Sequence, residues 1–302
     1  MTFIQKIGTE LFEPNRKETK GEILFFRIFE LFIMAYVVYY AWDWAYYMVR
    51  NREVVLALGI ANYIDVSFLF SNSMSFINAA LITFFVVISF FRWGSRWQYL
   101  IATLLLHLQY VGRYSQGEIP HSMNLIGMSL LGFAVGFMFF TNTTNRRRFI
   151  LGIIIFFTGL GYTTAAFAKL IGTGFDWANG YHLWLWLAEK KTDILSRTGA
   201  FSFNWLQQLA LYSWSAATLI LLFGWITELS GVLIWWRKLR PYVMTGIIMM
   251  HIGITLSMNI RFDAFVYELI LLGYPWAKLM DKYLSSYIPD RFNPENQIAN
   301  SS

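Results

Sequence analysis

The chain has 302 residues, of which 57% are apolar and only 14% are charged, whereas a soluble domain usually has about 25% charged residues. It contains no cysteine, which excludes disulfides and cysteine-ligated metal sites. Its net charge of +6 does not point to nucleic acid, so we expect no nucleic-acid partner. The composition is typical of an integral membrane protein, with membrane lipids as its first partners.

Long apolar runs follow one another along the chain. A helix needs about 20 mostly apolar residues to cross a bilayer, and the candidate runs are 23–49, 76–91, 97–112, 122–141, 149–171, 208–235, 241–259 and 262–279. In hydrocarbon the backbone can pair its polar groups only in helices or in a closed barrel. These runs are too long and too continuous for barrel strands, so we expect helices. We therefore predict an all-α, polytopic transmembrane bundle of about 8 helices (7–9), with a re-entrant or interfacial outer-face segment near 177–189.

The polar ends and the basic loops predict the domains and the orientation. We expect a cytoplasmic N-terminal tail at 1–22, a single transmembrane domain at 23–282 and a flexible cytoplasmic C-terminal tail at 283–302. The short loops "NRRRF" and "RKLRP" carry many positive charges, which the positive-inside rule assigns to the cytoplasm. The prediction is a bacterial inner-membrane protein with both tails inside and the 172–207 loop outside.

Ionisable residues within membrane runs are costly and are therefore the first candidates for function. Lys169 follows twenty uncharged residues, 149–168, and the predicted topology places it near the outer surface together with His121. The other candidates toward the outer half, besides His182 on the outer loop, are Asp43, His107, His251 and Glu268. We expect an acid–base cluster under the outer face.

Simpler interpretations stand beside these. A lysine at a helix end commonly extends its ammonium to the headgroups, and a membrane histidine often only hydrogen-bonds a neighbouring helix. Asp43, between two tryptophans, is alternatively an interfacial residue that faces water. Arg27 and Glu30, at i,i+3 spacing, are expected to pair structurally, and Glu228, in the predicted inner half, to hydrogen-bond between helices.

The segment "YTTAAFAKLIGTGFDWANGYHL" resembles a signature of the membrane domain of vitamin K-dependent gamma-carboxylases, which is shared with the bacterial HTTM family. The similarity consists of a small-residue helix that ends in Lys169 and Leu170, followed by Trp177 and a turn with Gly180. A second signature, a His-Ser pair that opens a helix, is similar to "PHSMNLIGMSLLGF" at His121.

Two further blocks extend the resemblance over roughly residues 20–280. The block "WITELSGVLIWWRKLRPYVMTGIIMMHIGITLSMNI" carries Glu228 and His251, and "LFFRIFELF" carries Arg27. Against this, the vertebrate carboxylases have a large luminal region for propeptide and substrate that this 302-residue chain does not include. We therefore expect the membrane core to use another acceptor or to act with a separate partner.

The resemblance implies a carboxy-lyase and monooxygenase that uses reduced vitamin K or another hydroquinone, with O2 and CO2 as co-substrates. It makes Lys169 the base that deprotonates the hydroquinone and His121 the stabiliser of a carbanion. Trp177, Gly180, His251 and Asp43 are the expected cofactor-binding residues.

The chemistry of an amine is consistent with the role of Lys169. An amine is a base only when neutral, and burial lowers the pKa of a lysine from about 10.4 by disfavouring the ammonium. Gly161, Ala165 and Ala166 lie on the preceding turns and are expected to let another helix or a flat ring approach closely.

Two other functions remain open. One is a quinone-linked redox partner similar to DoxX-type membrane proteins, which would depend on a separate redox protein for electrons because the sequence has no haem or flavin motif. The other is a non-enzymatic lipid-binding or transport protein. A separate substrate protein is the further partner that the enzyme hypothesis implies.

Overall fold

The computed structural model describes residues 2–13, 16–52, 56–57, 59–71, 73–117, 123–289 and 292. Over these residues the chain is helical, with no strand in the described part. The α-helices are α1 (Phe3–Phe12), α2 (Lys20–Arg50), α3 (Met74–Phe90), α4 (Gln98–Ser115), α5 (Asn124–Phe139), α6 (Thr143–Thr173), α7 (Gly180–Thr198), α8 (Trp205–Tyr212), α9 (Trp214–Leu229), α10 (Arg240–Met258), α11 (Asp263–Gly273) and α12 (Trp276–Leu284). Short 3₁₀ helices lie at Gly59–Asn62, Ser67–Phe70, Gly174–Ala178 and Ser230–Trp235.

Within the described ranges, four helical segments are long and apolar enough to cross a membrane: Lys20–Arg50, Thr143–Ala178, Trp214–Trp235 and Arg240–Met258. Two shorter apolar helices are Met74–Phe90 and Asn124–Phe139. The predicted all-α class is confirmed, and the chain is compatible with an integral membrane protein.

The chain divides into two compact units. The first unit comprises Phe12–Ile154 and Pro275–Ser302, and the second comprises Met1–Leu11 and Ile155–Tyr274. Helix α6 passes from the first unit to the second between Ile154 and Ile155.

The first unit is built around α2, which packs against α3, α4, α5 and α12. Helix α2 begins with a capping box in which Thr19 accepts a hydrogen bond from the Glu22 amide and Glu22 accepts one from Thr19. Asp281 of α12 accepts from the Gly21 amide at 2.7 Å and from the Thr19 hydroxyl at 2.6 Å. A side chain from the far end of the sequence therefore holds the start of α2.

Two of the predicted apolar runs are interrupted. The run 208–235 divides at Ser213, which ends α8 and caps α9 by accepting a hydrogen bond from the Ala216 amide at 3.2 Å. The run 262–279 divides at Pro275, between α11 and α12, because proline cannot donate a hydrogen bond to the preceding turn. Neither run is one continuous helix, since capping and proline chemistry override the apolar pattern.

In the second unit α6 approaches the 3₁₀ helix Ser230–Trp235 very closely. A Cβ on Gly231 would lie 2.6 Å from the Cβ of Tyr162 and 3.0 Å from the carbonyl oxygen of Gly159. Gly161, expected at such a contact, has nothing within 4 Å of its own Cβ position among the described atoms, while Ala166 is fully buried. The close approach is therefore at Gly159 and Gly231.

Candidate functional site

Helices α6 and α9 run antiparallel in the second unit. The indole Nε1 of Trp225 donates to the carbonyl of Ala166 at 3.0 Å, and that of Trp235 donates to Phe156 at 3.1 Å. From Trp225 on α9 to Trp235 on the following 3₁₀ helix, the contacted residue on α6 moves back from Ala166 to Phe156. The two segments therefore run in opposite directions. This pairing brings the last turns of α6 alongside the middle of α9.

Lys169 and Glu228 form an ion pair across this contact, between the lysine Nζ and the carboxylate Oε2. The glutamate side chain is 11% exposed and the lysine side chain 28% exposed. The long lysine stem extends toward α9 rather than away from the bundle. The two were expected at different depths, and the length of the lysine side chain joins them.

Trp177 contacts the Lys169 ammonium through its indole ring. The ammonium lies 4.6 Å from the centroid of the indole ring, which is a cation–π contact. The tryptophan is held by the 3₁₀ helix Gly174–Ala178, which packs against α9. Lys169 is thus positioned between a carboxylate and an aromatic face.

A cavity of about 400 Å³ borders the ion pair. Its wall is almost wholly apolar, and the charged groups in it are Lys169 and Glu228. Trp177 and Trp186 contribute aromatic surface, and Gly253 leaves one side of α10 without a side chain. Sites for small apolar ligands have this character, with a few polar groups in an apolar pocket of roughly 300–1,000 Å³.

Tyr162 and His251 form a second polar pair in this unit. The hydroxyl of Tyr162 and Nε2 of His251 share a hydrogen bond of 2.6 Å, and both residues are buried. The rings of Phe262 and Phe265 lie 4.5 Å and 5.3 Å from the imidazole. Both residues of this pair belong to the same unit as Lys169 and Glu228.

Gly180 and His182 surround the tryptophan turn. The Gly180 amide donates to the hydroxyl of Thr218 at 3.0 Å, and a Cβ there would lie 2.5 Å from the Trp214 carbonyl oxygen. His182 Nδ1 lies 3.1 Å from the carbonyl oxygen of Trp177. In the structure Gly180 allows α7 to pack on α9, and His182 contacts the backbone of the residue that covers Lys169.

The remaining candidate residues do not contact Lys169, or they lie outside the described residues. His121 falls outside the described residues. Asp43 is exposed on α2 and His107 is exposed on α4, where its ring lies 6.3 Å from that of Tyr110. Glu268 is fully buried in α11. The cluster around Lys169 therefore contains Glu228 and Trp177, with His251 behind it.

The sequence patterns missed a larger ionic cluster in the first unit. The expected pair of Arg27 and Glu30 is present at 2.5 Å, but Arg92 also holds both oxygens of Glu30 at 2.7 Å. The hydroxyl of Tyr99 donates to the same carboxylate at 2.5 Å. The basic loop after α3 was the one sequence feature that pointed to a further partner for Glu30. Arg92 in that loop is 62 residues from Glu30 along the chain, so no local spacing predicts their contact.

Among the described residues, no three His, Asp or Glu side chains come together as a metal site would require. Compared with known proteins, the chain matches no family model, no curated protein and no solved structure.

Proposed function

We propose that the protein is a polytopic integral membrane enzyme that binds a hydroquinone in the apolar cavity of the second unit and uses Lys169 to accept its hydroxyl proton. The observation that carries this proposal is the ion pair of Lys169 and Glu228 in the wall of an otherwise apolar cavity. The bundle would have about eight helices, with both tails inside a bacterial inner membrane and the site toward the outside.

The cavity suits a flat apolar ring with a hydroxyl group. Trp177 and Trp186 offer aromatic faces, and Gly224 and Gly253 offer backbone without side chains. The ion pair is the polar group that can orient a hydroxyl. An apolar ligand of this kind partitions into the bilayer and reaches such a site from the lipid.

The ion pair must change before Lys169 can act as a base. An ammonium has no lone pair, so Nζ first gives a proton to Oε2 of Glu228, which leaves a neutral amine beside a carboxylic acid. Low-dielectric surroundings favour this exchange because a neutral pair has less desolvation to overcome than two charges. Closure of the cavity by an apolar ligand would exclude water and shift the pair in that direction.

The buried Tyr162–His251 pair is a second set of titratable groups in the same unit. Its hydrogen bond of 2.6 Å joins two groups that can each donate and accept. The chemistry that a bound hydroquinone supplies, with O2, is a strong base for removing a carbon-bound proton, and CO2 would be the second co-substrate. The resemblance to vitamin K-dependent gamma-carboxylases further implies a carbanion-stabilising role for His121 and a cofactor-binding role for Asp43.

The experiment measures epoxide formation from reduced vitamin K by the purified protein in lipid. Lys169→Met should abolish turnover, and Lys169→Met with Glu228→Gln should also be inactive while restoring stability, because the double variant leaves no buried charge unpaired. Lys238→Met, on an exposed loop of the same unit, is the matched control and should be fully active. Turnover in the folded double variant would contradict the role of Lys169.

A second candidate function is lipid binding without chemistry. The apolar wall of the cavity favours it, because one ion pair is sufficient to orient a lipid headgroup. Retention of a labelled lipid by a protein that forms no epoxide from several quinones would support this candidate over the enzyme.

A further inference from the structure

A second cavity, of about 870 Å³, lies in the first unit where several helices begin or end. Its wall includes the first turns of α2, the loop after α3, the end of α5 and the start of α6. Four arginines contribute to this wall: Arg27, Arg92, Arg146 and Arg147. The cavity therefore combines a basic end with apolar surface.

The positive charge of the cavity is only partly neutralised. Glu30 pairs with Arg27 and Arg92, and Glu18 pairs with Arg147. In the described part of the chain, Arg146 has no carboxylate within salt-bridge distance; Arg92 and Arg147 repel its charge, and Glu30 attracts it more distantly. Among the described residues, four arginines of the wall face two paired glutamates, an excess of two positive charges.

The ring of Phe137 holds two of the guanidinium groups. Arg146 lies 4.4 Å and Arg92 lies 4.6 Å from its centroid. Cation–π contact fixes the planes of the guanidinium groups while leaving N–H donors at their edges. Arg146 belongs to the first turn of α6, where the helix dipole also favours an anion. An anion in the cavity would therefore meet donors that are already oriented.

Exposed apolar side chains continue from the basic end along α2. Ile28 is 40% exposed and Leu31 is 55% exposed, and both line the same cavity. Helix α2 is one of the segments able to cross a membrane. A ligand that satisfies both parts of the cavity has an anionic head and an apolar chain.

We propose that this cavity binds the phosphate headgroup of an anionic phospholipid, with Arg146 as the principal free cation and an acyl chain along Ile28 and Leu31. A free phosphate shares the head but not the chain, and it leaves the apolar wall without a partner. This site lies in a different unit from Lys169, so its success or failure is independent of the proposed enzyme activity.

The test measures binding of dioctanoyl phosphatidylglycerol and dioctanoyl phosphatidylcholine to the purified full-length protein in a neutral detergent, as dissociation constants. The wild type should prefer the anionic lipid by roughly tenfold, as one charge-assisted contact allows. Arg146→Gln should lose that preference and Arg146→Lys should keep most of it. Arg96→Gln, an exposed arginine of the same unit outside the cavity wall, is the matched control and should behave as wild type.

Thermal unfolding of each variant separates binding from folding. Arg146→Gln removes repulsion from Arg92 and Arg147 but also the contact with Phe137, so the two effects oppose each other and the unfolding temperature should change little. An unchanged preference for the anionic lipid in folded Arg146→Gln would overturn the proposal. Complete displacement of the lipid by inorganic phosphate at equal concentration would also overturn it, because the site would then recognise a soluble anion.

Discussion

Two buried glutamates, one in each unit, are neutralised in different ways. Glu30 in the first unit is fully buried and receives contacts from Arg27, Arg92 and Tyr99. Glu228 in the second unit pairs with Lys169 beside a cavity. A carboxylate that several fixed donors hold has little freedom to exchange a proton, whereas one paired with a single flexible amine can do so. The comparison assigns Glu30 a structural role, and the proposed function gives Glu228 the role of exchanging a proton with Lys169.

The largest difference is expected from Glu30→Gln against Glu228→Gln. Loss of the Glu30 charge leaves two arginines without compensation, which should lower the free energy of unfolding by about 3 kcal/mol. Glu228→Gln should cost only about 1 kcal/mol, because Glu228 loses one charged contact, with Lys169, whereas Glu30 loses contacts with three donors. Chemical denaturation in detergent measures both values, and equal losses would remove the distinction between the two sites.

The close contact between α6 and the 3₁₀ helix in the second unit gives the next effect. Gly231→Ala should destabilise the protein by about 2 kcal/mol, since the added methyl group overlaps Tyr162 and the backbone of Gly159. Gly161→Ala is the matched control on α6, and it should be neutral or stabilising by up to about 1 kcal/mol because alanine favours the helix. A tolerated Gly231→Ala would mean that this contact is looser than the distances indicate.

A smaller effect is expected behind the ion pair. Tyr162→Phe removes the hydrogen bond to His251 and should lower stability by about 1 kcal/mol. If the pair takes part in proton transfer during turnover, the same variant should slow epoxide formation while leaving hydroquinone binding unchanged. Equal turnover by Tyr162→Phe and wild type would restrict the pair to a structural role.

The smallest effect on stability, with a large effect on binding, is expected from filling the second unit's cavity. Gly253 has nothing within 4 Å of its Cβ position among the described atoms. Gly253→Phe should therefore fold normally but exclude the ligand, which equilibrium binding of a labelled quinone measures. Gly161→Phe adds the same ring outside the cavity wall and should bind as wild type. Equal binding by both variants would place the ligand elsewhere.

The sequence predicts the helices of this fold better than the points at which an apolar run is divided into two helices. Long apolar runs predict α2, α6 and α10, because a chain that crosses hydrocarbon must pair its backbone groups within a helix. Ser213 and Pro275 interrupt two other runs through local hydrogen bonding that apolar content does not reveal. The breaks depend on one or two residues each, whereas the runs depend on about twenty.

The ionic contacts of the two units could be predicted only in part, for a related reason. An i,i+3 spacing identified Arg27 with Glu30, since both lie on one helix face. The partners of Glu30 from α3 and α4, and the pairing of Lys169 with Glu228, are tertiary contacts that no local spacing encodes. The small residues before Lys169 indicated a close helix contact, but only the structure identifies Gly159 and Gly231 as its members.

The indole of Trp177 against the Lys169 ammonium gives the protein an optical sensor of its own. Charge next to an indole shifts the energy of its excited state, so the fluorescence of Trp177 depends on whether Nζ carries its proton. The difference in emission between wild type and Trp177→Phe isolates this signal from the other tryptophans. Proton movement within the site can thus be followed in real time, without a label.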